Sequence, residues 1–510
     1  MQLEHRDGSV GKHAAFFLGP ALCILLLLLP VPQGMKPEAW KVLAVTVLMA
    51  VWWITEAIPI PATGLLPIVL FPALGVLSGK DAAAPYADDV IYLFMGGFFL
   101  AVTMERWNLQ RRIALNTIKL VGDSPDRLVL GFMIATGFIS AWVSNTATAM
   151  MMVPIGLAVI SEITGLTPVQ IKAGSTISGA SDLNFGRALM LGIAFAASIG
   201  GLATIIGTPP NAILVGIVKK MYNYEITFVS WIMVGGPLAV VTLVVTWLIL
   251  SKFLFPTTSF SQGDAARVID DEIARLGPIT REEKGVAIVG ATMATLWIIS
   301  GFVFKYFPAL KFVNDSTIAI GGALMLFAWP LNLKKGEFLL NWETAVKIPW
   351  DVVLLFGGGL AIANGFQRSG LTLYIAQQFQ HLAGLHIYIL ITLIVVFTIA
   401  LTEVTSNTAV ATLLVPIMGA VAMAMGINPL GPMIAAAIAA SYAFMLPVAT
   451  PPNAVAYGSG CFTIKNMAIA GIWINLACFV LIPVIIYFLI PLFWGENLSA
   501  TPQWAFPVKP

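Results

Sequence analysis

Charge is the scarcest ingredient of this chain. Asp, Glu, Lys and Arg together make up 10% of its 510 residues, where soluble domains carry about a quarter. So little charge cannot cover a water-facing surface, which excludes an ordinary soluble globular protein. The balance is even, 27 basic against 25 acidic side chains, so the basic footprint of a nucleic-acid binder is missing too. Cysteine is nearly absent. Cys23, Cys461 and Cys478 lie in or beside apolar runs, with no C-x-x-C pair, and read as buried inert thiols. Of the four histidines, His5 and His13 sit in the N-terminal tail, while His381 and His386 bracket a short loop; loop residues fit them better than metal ligands. No H-E-x-x-H run and no Walker A loop occurs, so zinc hydrolysis and ATP-driven pumping lose their usual signatures. The apolar segments hold no Ser/His, His/Glu or paired-Asp constellation, and no enzyme is expected.

What the chain has in abundance is apolar length: 58% of it is hydrophobic. A bilayer span needs roughly 20 mostly apolar residues. Eleven such segments are expected, near 14–32, 39–58, 60–77, 86–105, 186–218, 228–255, 285–305, 314–333, 348–367, 430–459 and 467–493. The first follows Arg6 and Lys12, as a signal peptide would, but ends in Leu-Pro-Val-Pro-Gln without an A-x-A-like site, so it reads as a retained span. Two further apolar stretches, 128–160 and 386–425, are each interrupted midway by polar residues. Each is too long for one span and lacks a charged loop for two. A re-entrant hairpin with its tip buried in protein satisfies both facts. The expected architecture is therefore an all-α integral membrane protein of about eleven helices and two hairpins. Basic residues concentrate in 106–127, 252–284 and 334–347, although Lys219, Lys220, Lys305 and Lys311 fall on the other side. That bias places the N-terminus in the cytoplasm and the C-terminus outside. The hydrophilic stretch 256–284 reads as a cytoplasmic connector with an amphipathic helix from Asp264 to Leu276.

The chain also repeats itself. Asp89-Val-Ile-Tyr-Leu-Phe-Met-Gly-Gly97 resembles Asp351-Val-Val-Leu-Leu-Phe-Gly-Gly-Gly359. Ser144-Asn145-Thr146-Ala147 returns as Ser406-Asn407-Thr408-Ala409, and Val153-Pro154-Ile155 as Val415-Pro416-Ile417. All three share one offset, 406 − 144 = 262. Thr208-Pro-Pro-Asn-Ala212 returns as Thr450-Pro-Pro-Asn-Ala454 at offset 450 − 208 = 242. Matching interruptions in two halves point to a transporter site. Five expected spans separate the two hairpins, which inverts the second copy relative to the first. A cysteine at Ser124 is then expected to face the cytoplasm, and one at Gln380 the outside.

Ser-Asn-Thr offers hydroxyl and amide oxygens in an apolar setting. Thr-Pro-Pro-Asn cannot continue a helix, because proline lacks the N–H and clashes with the preceding turn. Broken helices present dipole ends inside the membrane: N-termini attract anions, free carbonyls attract cations. Four N-termini at about half a charge each sum to roughly +2, suited to a dianion. Lysine and arginine keep away from the motifs, so a buried dianion needs another neutraliser. Oxygen ligands without carboxylates suit Na⁺ better than a divalent ion. Cation-coupled anion uptake is the expectation. The plainer alternative is that such residues merely glue or kink helices, but both motifs in both copies speak against it.

These residues resemble the divalent anion/sodium symporter family, which includes dicarboxylate and citrate carriers. The likeness covers the whole chain and extends to Thr55-Glu56-Ala57-Ile58-Pro59 and Thr402-Glu403-Val404-Thr405-Ser406. It implies an elevator-type homodimer in the lipid bilayer. The scaffold would comprise 1–122 and 285–384, the transport part 123–255 and 385–510, with 256–284 as connector. By resemblance, one Na⁺ site uses Ser140, Ser144, Asn145 and backbone at Gly207, and the other Thr402, Thr405, Asn407 and backbone at Ala449. Asn145, Thr146, Asn407 and Thr408 hold the substrate carboxylates, with Thr208, Pro209, Thr450 and Pro451 beside them. Some relatives carry a smaller residue at Thr405, which is harmless if its backbone is the ligand. No cofactor is implied beyond Na⁺ as coupling ion. Glu403 reads as a structural hydrogen-bonding group rather than a proton carrier. Glu56, Asp89 and Asp351 read as interface or helix-capping residues, and Arg187 as the cytoplasmic start of its span.

The leading expectation is a Na⁺-coupled symporter for succinate, malate or fumarate. Sulfate or citrate symport and sodium-independent dicarboxylate exchange are the alternatives within the class. An ion channel is the alternative outside it, since re-entrant segments also build filters. Short loops fit a bacterial inner membrane, against which the sequons at Asn314 and Asn497 weigh.

Overall fold

Proline and glycine decide where the helices of this protein start and stop. A computed structural model describes residues 4–122, 124–165, 167, 170, 180–256, 264–302, 312–378 and 384–506. Gln380, Lys305, Lys311 and His381, singled out above, lie outside the described residues. The chain opens with α1 (Glu4–Leu28) and α2 (Pro37–Thr55), the latter begun by a proline at its first turn, where no N–H is needed. The segment 60–77, expected as one span, is instead two short helices, α3 (Ile60–Thr63) and α4 (Leu66–Ala73). Pro61 and Pro67 explain the division, since each sits at the start of its own piece. Then come α5 (Gly79–Ala83), α6 (Asp89–Arg106) and α7 (Leu109–Val121). The first hairpin is α8 (Pro125–Ser140) and α9 (Asn145–Thr164). The first broken helix is α10 (Ala180–Gly201) followed by α11 (Pro209–Tyr222).

The middle of the chain holds α12 (Phe228–Leu248), which runs on as a wider π-helical turn Ile249–Leu254, then α13 (Asp264–Leu276), α14 (Arg281–Phe302) and α15 (Asp315–Ala328). A two-stranded ribbon, β1 (Pro330–Asn332) and β2 (Glu337–Phe338), pairs antiparallel ahead of α16 (Trp342–Ala345). The second half mirrors the first: α17 (Trp350–Ser369), α18 (Leu371–Gln378), the hairpin α19 (Ile387–Thr402) and α20 (Asn407–Ala424), then the broken helix α21 (Leu430–Ala440) and α22 (Pro451–Tyr457), and finally α23 (Ile464–Trp494). The mirroring reaches single backbone angles. The turn before α7 is made by Asn108 at φ 55°, and the turn before α18 by Gly370 at φ 81°, again 370 − 108 = 262 positions apart. Asparagine and glycine tolerate this left-handed conformation best.

Seven helices among the described residues are long and apolar enough to cross a membrane. They include the hairpin arms α9 and α20, so length alone does not separate hairpin from span. The segments 14–32, 314–333 and 430–459 supply apolar helices of fewer than 18 residues. The Arg-rich stretch after α6, expected only as a charged segment, is the amphipathic helix α7. It binds the connector helix α13, which forms over the expected Asp264–Leu276. Arg111 pairs with Glu272, Lys119 with Asp270 at 2.7 Å, and Arg112 with Glu283 at 2.8 Å. Arg112 also donates to the carbonyls of Leu276 and Gly277. The described part of the connector is thus fastened to α7.

The packing crosses the repeats. The first hairpin packs on α10 of its own broken helix and on α22 of the other. The second hairpin packs on α21 and on α11. Each break is therefore clasped by both halves of the chain. Glycines allow the closest approach: a Cβ on Gly200 of α10 would overlap the backbone of Gly137 in α8. Around this group, α6 packs on α15, α14 on α15, and α17 on α2 and α3.

Candidate functional site

Four helices begin on one cavity of about 880 Å³. They are α9, α11, α20 and α22, and their cap residues Ser144, Thr208, Ser406 and Thr450 all line it. The first turns of a helix carry N–H groups without helical acceptors and the positive end of the dipole. Asn145 and Thr146 line the cavity from the first hairpin; Thr405, Asn407 and Thr408 line it from the second. Gly207 and Pro209 come from one break, Ala449 and Pro451 from the other. The two breaks contribute fewer N–H groups than the hairpins, because Pro209, Pro210, Pro451 and Pro452 have none. The hairpins are thus the better hydrogen-bonding half of the site.

Ser140 and Thr402 stand apart from the other expected site residues. Neither lines the cavity; both are fully buried behind the hairpin turns. Each nonetheless touches its motif asparagine. Ser140 Oγ lies 2.6 Å from Asn145 Oδ1 and 2.6 Å from the carbonyl of Ala197. Thr402 Oγ1 lies 2.6 Å from Asn407 Oδ1 and 2.8 Å from the carbonyl of Ala440. At the first turn, the position of Asn145 Oδ1 is also 3.1 Å from Ala197 O and 3.2 Å from Gly207 O. Such a spot suits the amide nitrogen turned inward as a donor, or the amide oxygen turned inward around a cation. The donor set is hydroxyl, amide and carbonyl oxygen, with no carboxylate. It fits a monovalent hard cation, and a divalent ion poorly.

Two expected ligands carry a second duty. Ser144 accepts the N–H of Ala147 at 3.2 Å and so caps α9. Thr405 donates its hydroxyl to the carbonyl of Leu401 at 2.7 Å. That bond leaves the backbone of Thr405 as its more available ligand.

Several residues hold the site without having been singled out for it. Asn211 Nδ2 donates to the carbonyls of Leu202 and Thr204, at 3.3 and 2.8 Å. Asn453 Nδ2 donates to those of Ala443 and Leu446, both at 3.0 Å. Both asparagines are fully buried, and both pin the non-helical loop of their own break. Their place in the repeated Thr-Pro-Pro-Asn was the available signal. The breaks are also tied to the hairpin turns, differently in each copy. Thr204 donates to the carbonyl of Ala141 at 2.5 Å. In the second copy Glu403, at 403 − 141 = 262, accepts from the N–H groups of Phe444 and Met445 and from Asn475 Nδ2. That is the structural hydrogen-bonding role expected for Glu403.

The charged residues divide. Asp88 caps α6 and Asp89 pairs with Lys219 at 2.6 Å. Lys219 corrects the expectation that basic residues keep clear of the motifs: it follows Asn211 on the same helix. It sits at the far end of that helix, off the cavity, and its charge is spent on Asp89. Glu56 ends α2 at φ 49°, and Asp351 lies in the first turn of α17, but both also line the cavity. Arg187 lies early in α10 and donates to Asn184 at 3.2 Å.

A family model for the sodium:sulfate symporter transmembrane region matches residues 11–499. The chain belongs to this family. One of its relatives is a protein of Staphylococcus saprophyticus named sodium-dependent dicarboxylate transporter SdcS. It is 42% identical over 497 residues, which are 97% of this chain and 95% of that protein. The SdcS of Staphylococcus aureus strain USA300 is 42% identical over 492 residues, covering 96% and 94%. Two solved structures share the fold at low identity. The Alcanivorax borkumensis YdaH transporter superposes with a TM-score of 0.50 at 16% identity, covering 89% of this chain and 99% of its own. Neisseria gonorrhoeae MtrF, from a class of antimetabolite efflux pumps, gives 0.51 at 13%, covering 90% and 95%. The resemblance drawn from the paired motifs is thus a true family membership.

Proposed function

We propose that this sodium:sulfate symporter family member is a Na⁺-coupled symporter importing four-carbon dicarboxylates such as succinate, malate or fumarate. One observation carries the reading: four helix N-termini converge on one cavity, with a cluster of oxygen ligands behind each hairpin turn. The names of the Staphylococcus relatives support the same substrate and ion. Two Na⁺ ions would sit behind the turns: one by Ser140, Ser144, Asn145 and Gly207 O, the other by Thr402, Asn407 and the backbones of Thr405 and Ala449. The carboxylates would sit on the first turns of α9 and α20, against Asn145, Thr146, Asn407 and Thr408. Thr208, Pro209, Thr450 and Pro451 close the floor. Uptake of labelled succinate, sulfate and citrate into proteoliposomes, with and without Na⁺, tests the reading; a preference for sulfate would overturn it.

The movement we infer is of the elevator type. The hairpins, the breaks, α12 and α23 would travel together as a transport body, an elevator against a scaffold of α1–α7 and α14–α18 that mediates a homodimer. With the N-terminus in the cytoplasm of a bacterial inner membrane, α2 ends and α17 begins on the cytoplasmic side. The cavity bounded by those ends then opens inward. Re-entry of both hairpins from opposite faces is tested by cysteine labelling. Ser124→Cys, at the start of the first hairpin, is expected to react with impermeant reagents only from the cytoplasm. Since Gln380 lies outside the described residues, His386→Cys at the cap of α19 serves as its counterpart, and is expected to react only from outside. Labelling of both from one side would break the inverted topology.

Ion and substrate roles separate by substitution. Ser144→Ala is expected to raise the Na⁺ concentration for half-activation while saturating Na⁺ restores succinate affinity. Thr408→Ala is expected to weaken succinate binding at every Na⁺ level. A lost hydrogen bond to a charged group costs about 1.5–3 kcal/mol, roughly ten- to a hundredfold in affinity. Identical titration curves for the two variants would show the roles misassigned.

A further inference from the structure

The electrostatics of the cavity are one-sided. Among the described residues lining it, two carry charge, Glu56 and Asp351, and both are acidic. Neither belongs to a hairpin or a break. Glu56 is the left-handed cap that ends α2, and Asp351 follows Pro349 in the first turn of α17. Both are exposed. The positive helix ends lie on the opposite elements: α9, α11, α20 and α22. The wall that attracts an anion and the wall that repels it therefore sit on different parts of the molecule.

We propose that Glu56 and Asp351 form a repulsive collar that lowers dianion affinity, and raises Na⁺ affinity, on the cytoplasmic side alone. The inference rests on the symporter reading and on the movement of hairpins and breaks relative to α2 and α17. When the cavity opens past α2 and α17, the dianion faces two fixed negative charges. When the transport body moves away, it carries the helix N-termini with it and leaves the collar behind. The same substrate then meets an acidic wall on one side of the membrane and not on the other. Na⁺ feels the opposite force, so the collar keeps cations close while the anion departs. A dianion escorted by two Na⁺ is neutral overall and passes the collar freely. The collar thus acts on the unescorted anion and opposes its return. Across a water-filled cavity, two such charges shift anion affinity by about two- to tenfold, and added salt screens the effect.

The test is sided transport in oriented proteoliposomes. In Glu56→Gln/Asp351→Asn, the cytoplasmic apparent KM for succinate is expected to fall by about two- to tenfold. The cytoplasmic half-activation concentration of Na⁺ is expected to rise, and both external values to stay put. A merely structural role would not move the two constants in opposite directions on one side only. Glu56→Asp/Asp351→Glu keeps the charge and is expected to behave as the parent. A third arm needs no substitution: choline chloride is expected to lower the cytoplasmic succinate KM of the parent protein and leave the external one unchanged. Shifts equal on both sides, or a cytoplasmic KM indifferent to salt in a protein that shows Na⁺-dependent succinate uptake, would overturn the collar. Absence of Na⁺-dependent succinate uptake in the parent would overturn the symporter reading beneath it.

Discussion

Replacing Na⁺ by choline is expected to lower succinate uptake by about a hundredfold or more. The cavity offers an arriving dianion no lysine, arginine or histidine among its described lining residues. It offers four helix ends, worth roughly half a charge each before screening, and two of those begin with consecutive prolines that lack N–H groups. Behind each hairpin turn, hydroxyl and carbonyl oxygens gather around the motif amide: Ser140, Ala197 and Gly207 around Asn145, Thr402 and Ala440 around Asn407. A cation at each cluster, with the amide oxygen turned toward it, would add a full positive charge beneath the first turns of α9 and α20. Coupling between one ion and one ligand is typically 1–3 kcal/mol, about 5- to 150-fold, and two ions multiply. The Na⁺ dependence is therefore expected to be steep, with a Hill coefficient above one. Li⁺ is expected to substitute poorly, because a preformed cluster of hydroxyl, amide and carbonyl oxygens does not shrink onto a smaller ion. Equal uptake in choline and Na⁺ buffers would favour sodium-independent exchange instead.

How much of this was legible beforehand depends on whether side chains or backbone carry the feature. The four cap positions were legible, because Ser-Asn-Thr and Thr-Pro-Pro-Asn are written twice at fixed offsets. Proline and cap residues act locally, so the helix starts at Asn145, Pro209, Asn407 and Pro451 follow from neighbouring residues alone. The carbonyls of Ala197 and Ala440 were not legible. Every residue has a carbonyl, and only the crossing of α10 behind α8, and of α21 behind α19, selects those two. The helix α7 was hidden for a different reason. Arg111, Arg112 and Lys119 read only as a basic segment until α13 and Glu283 supply their partners from more than a hundred residues away. Pro61 and Pro67 did announce the division of 60–77, but apolar length outvoted them. Glu56 and Asp351 are far apart in sequence, and only the fold sets them on one cavity.

The near-isosteric change Asn453→Asp is expected to be more damaging than the truncation Asn453→Ala. The amide of Asn453 is fully buried, and its nitrogen donates to the carbonyls of Ala443 and Leu446. Those bonds hold the loop that carries Ala449 to the cavity, between α21 and α22. Truncation to alanine removes the two donors. The abandoned carbonyls then cost about 1–3 kcal/mol each if no water reaches them. Aspartate goes further, because it places a carboxylate oxygen against two carbonyl oxygens. A buried unpaired charge costs several kcal/mol more, or forces the group to take up a proton. If it protonates, it recovers one of the two donations. Uptake by Asn453→Asp is therefore expected to recover partly as pH falls, whereas Asn453→Ala is expected to be flat with pH. The same ranking is expected at Asn211, which pins the first break in the same way. The deciding measurement pairs the Na⁺-dependent uptake of the three proteins with their thermal unfolding in detergent. An Asn453→Asp protein as stable and as active as the parent would mean that the amide does not hold the break, and that the loop bearing Ala449 is fixed by Pro451 and Pro452 alone.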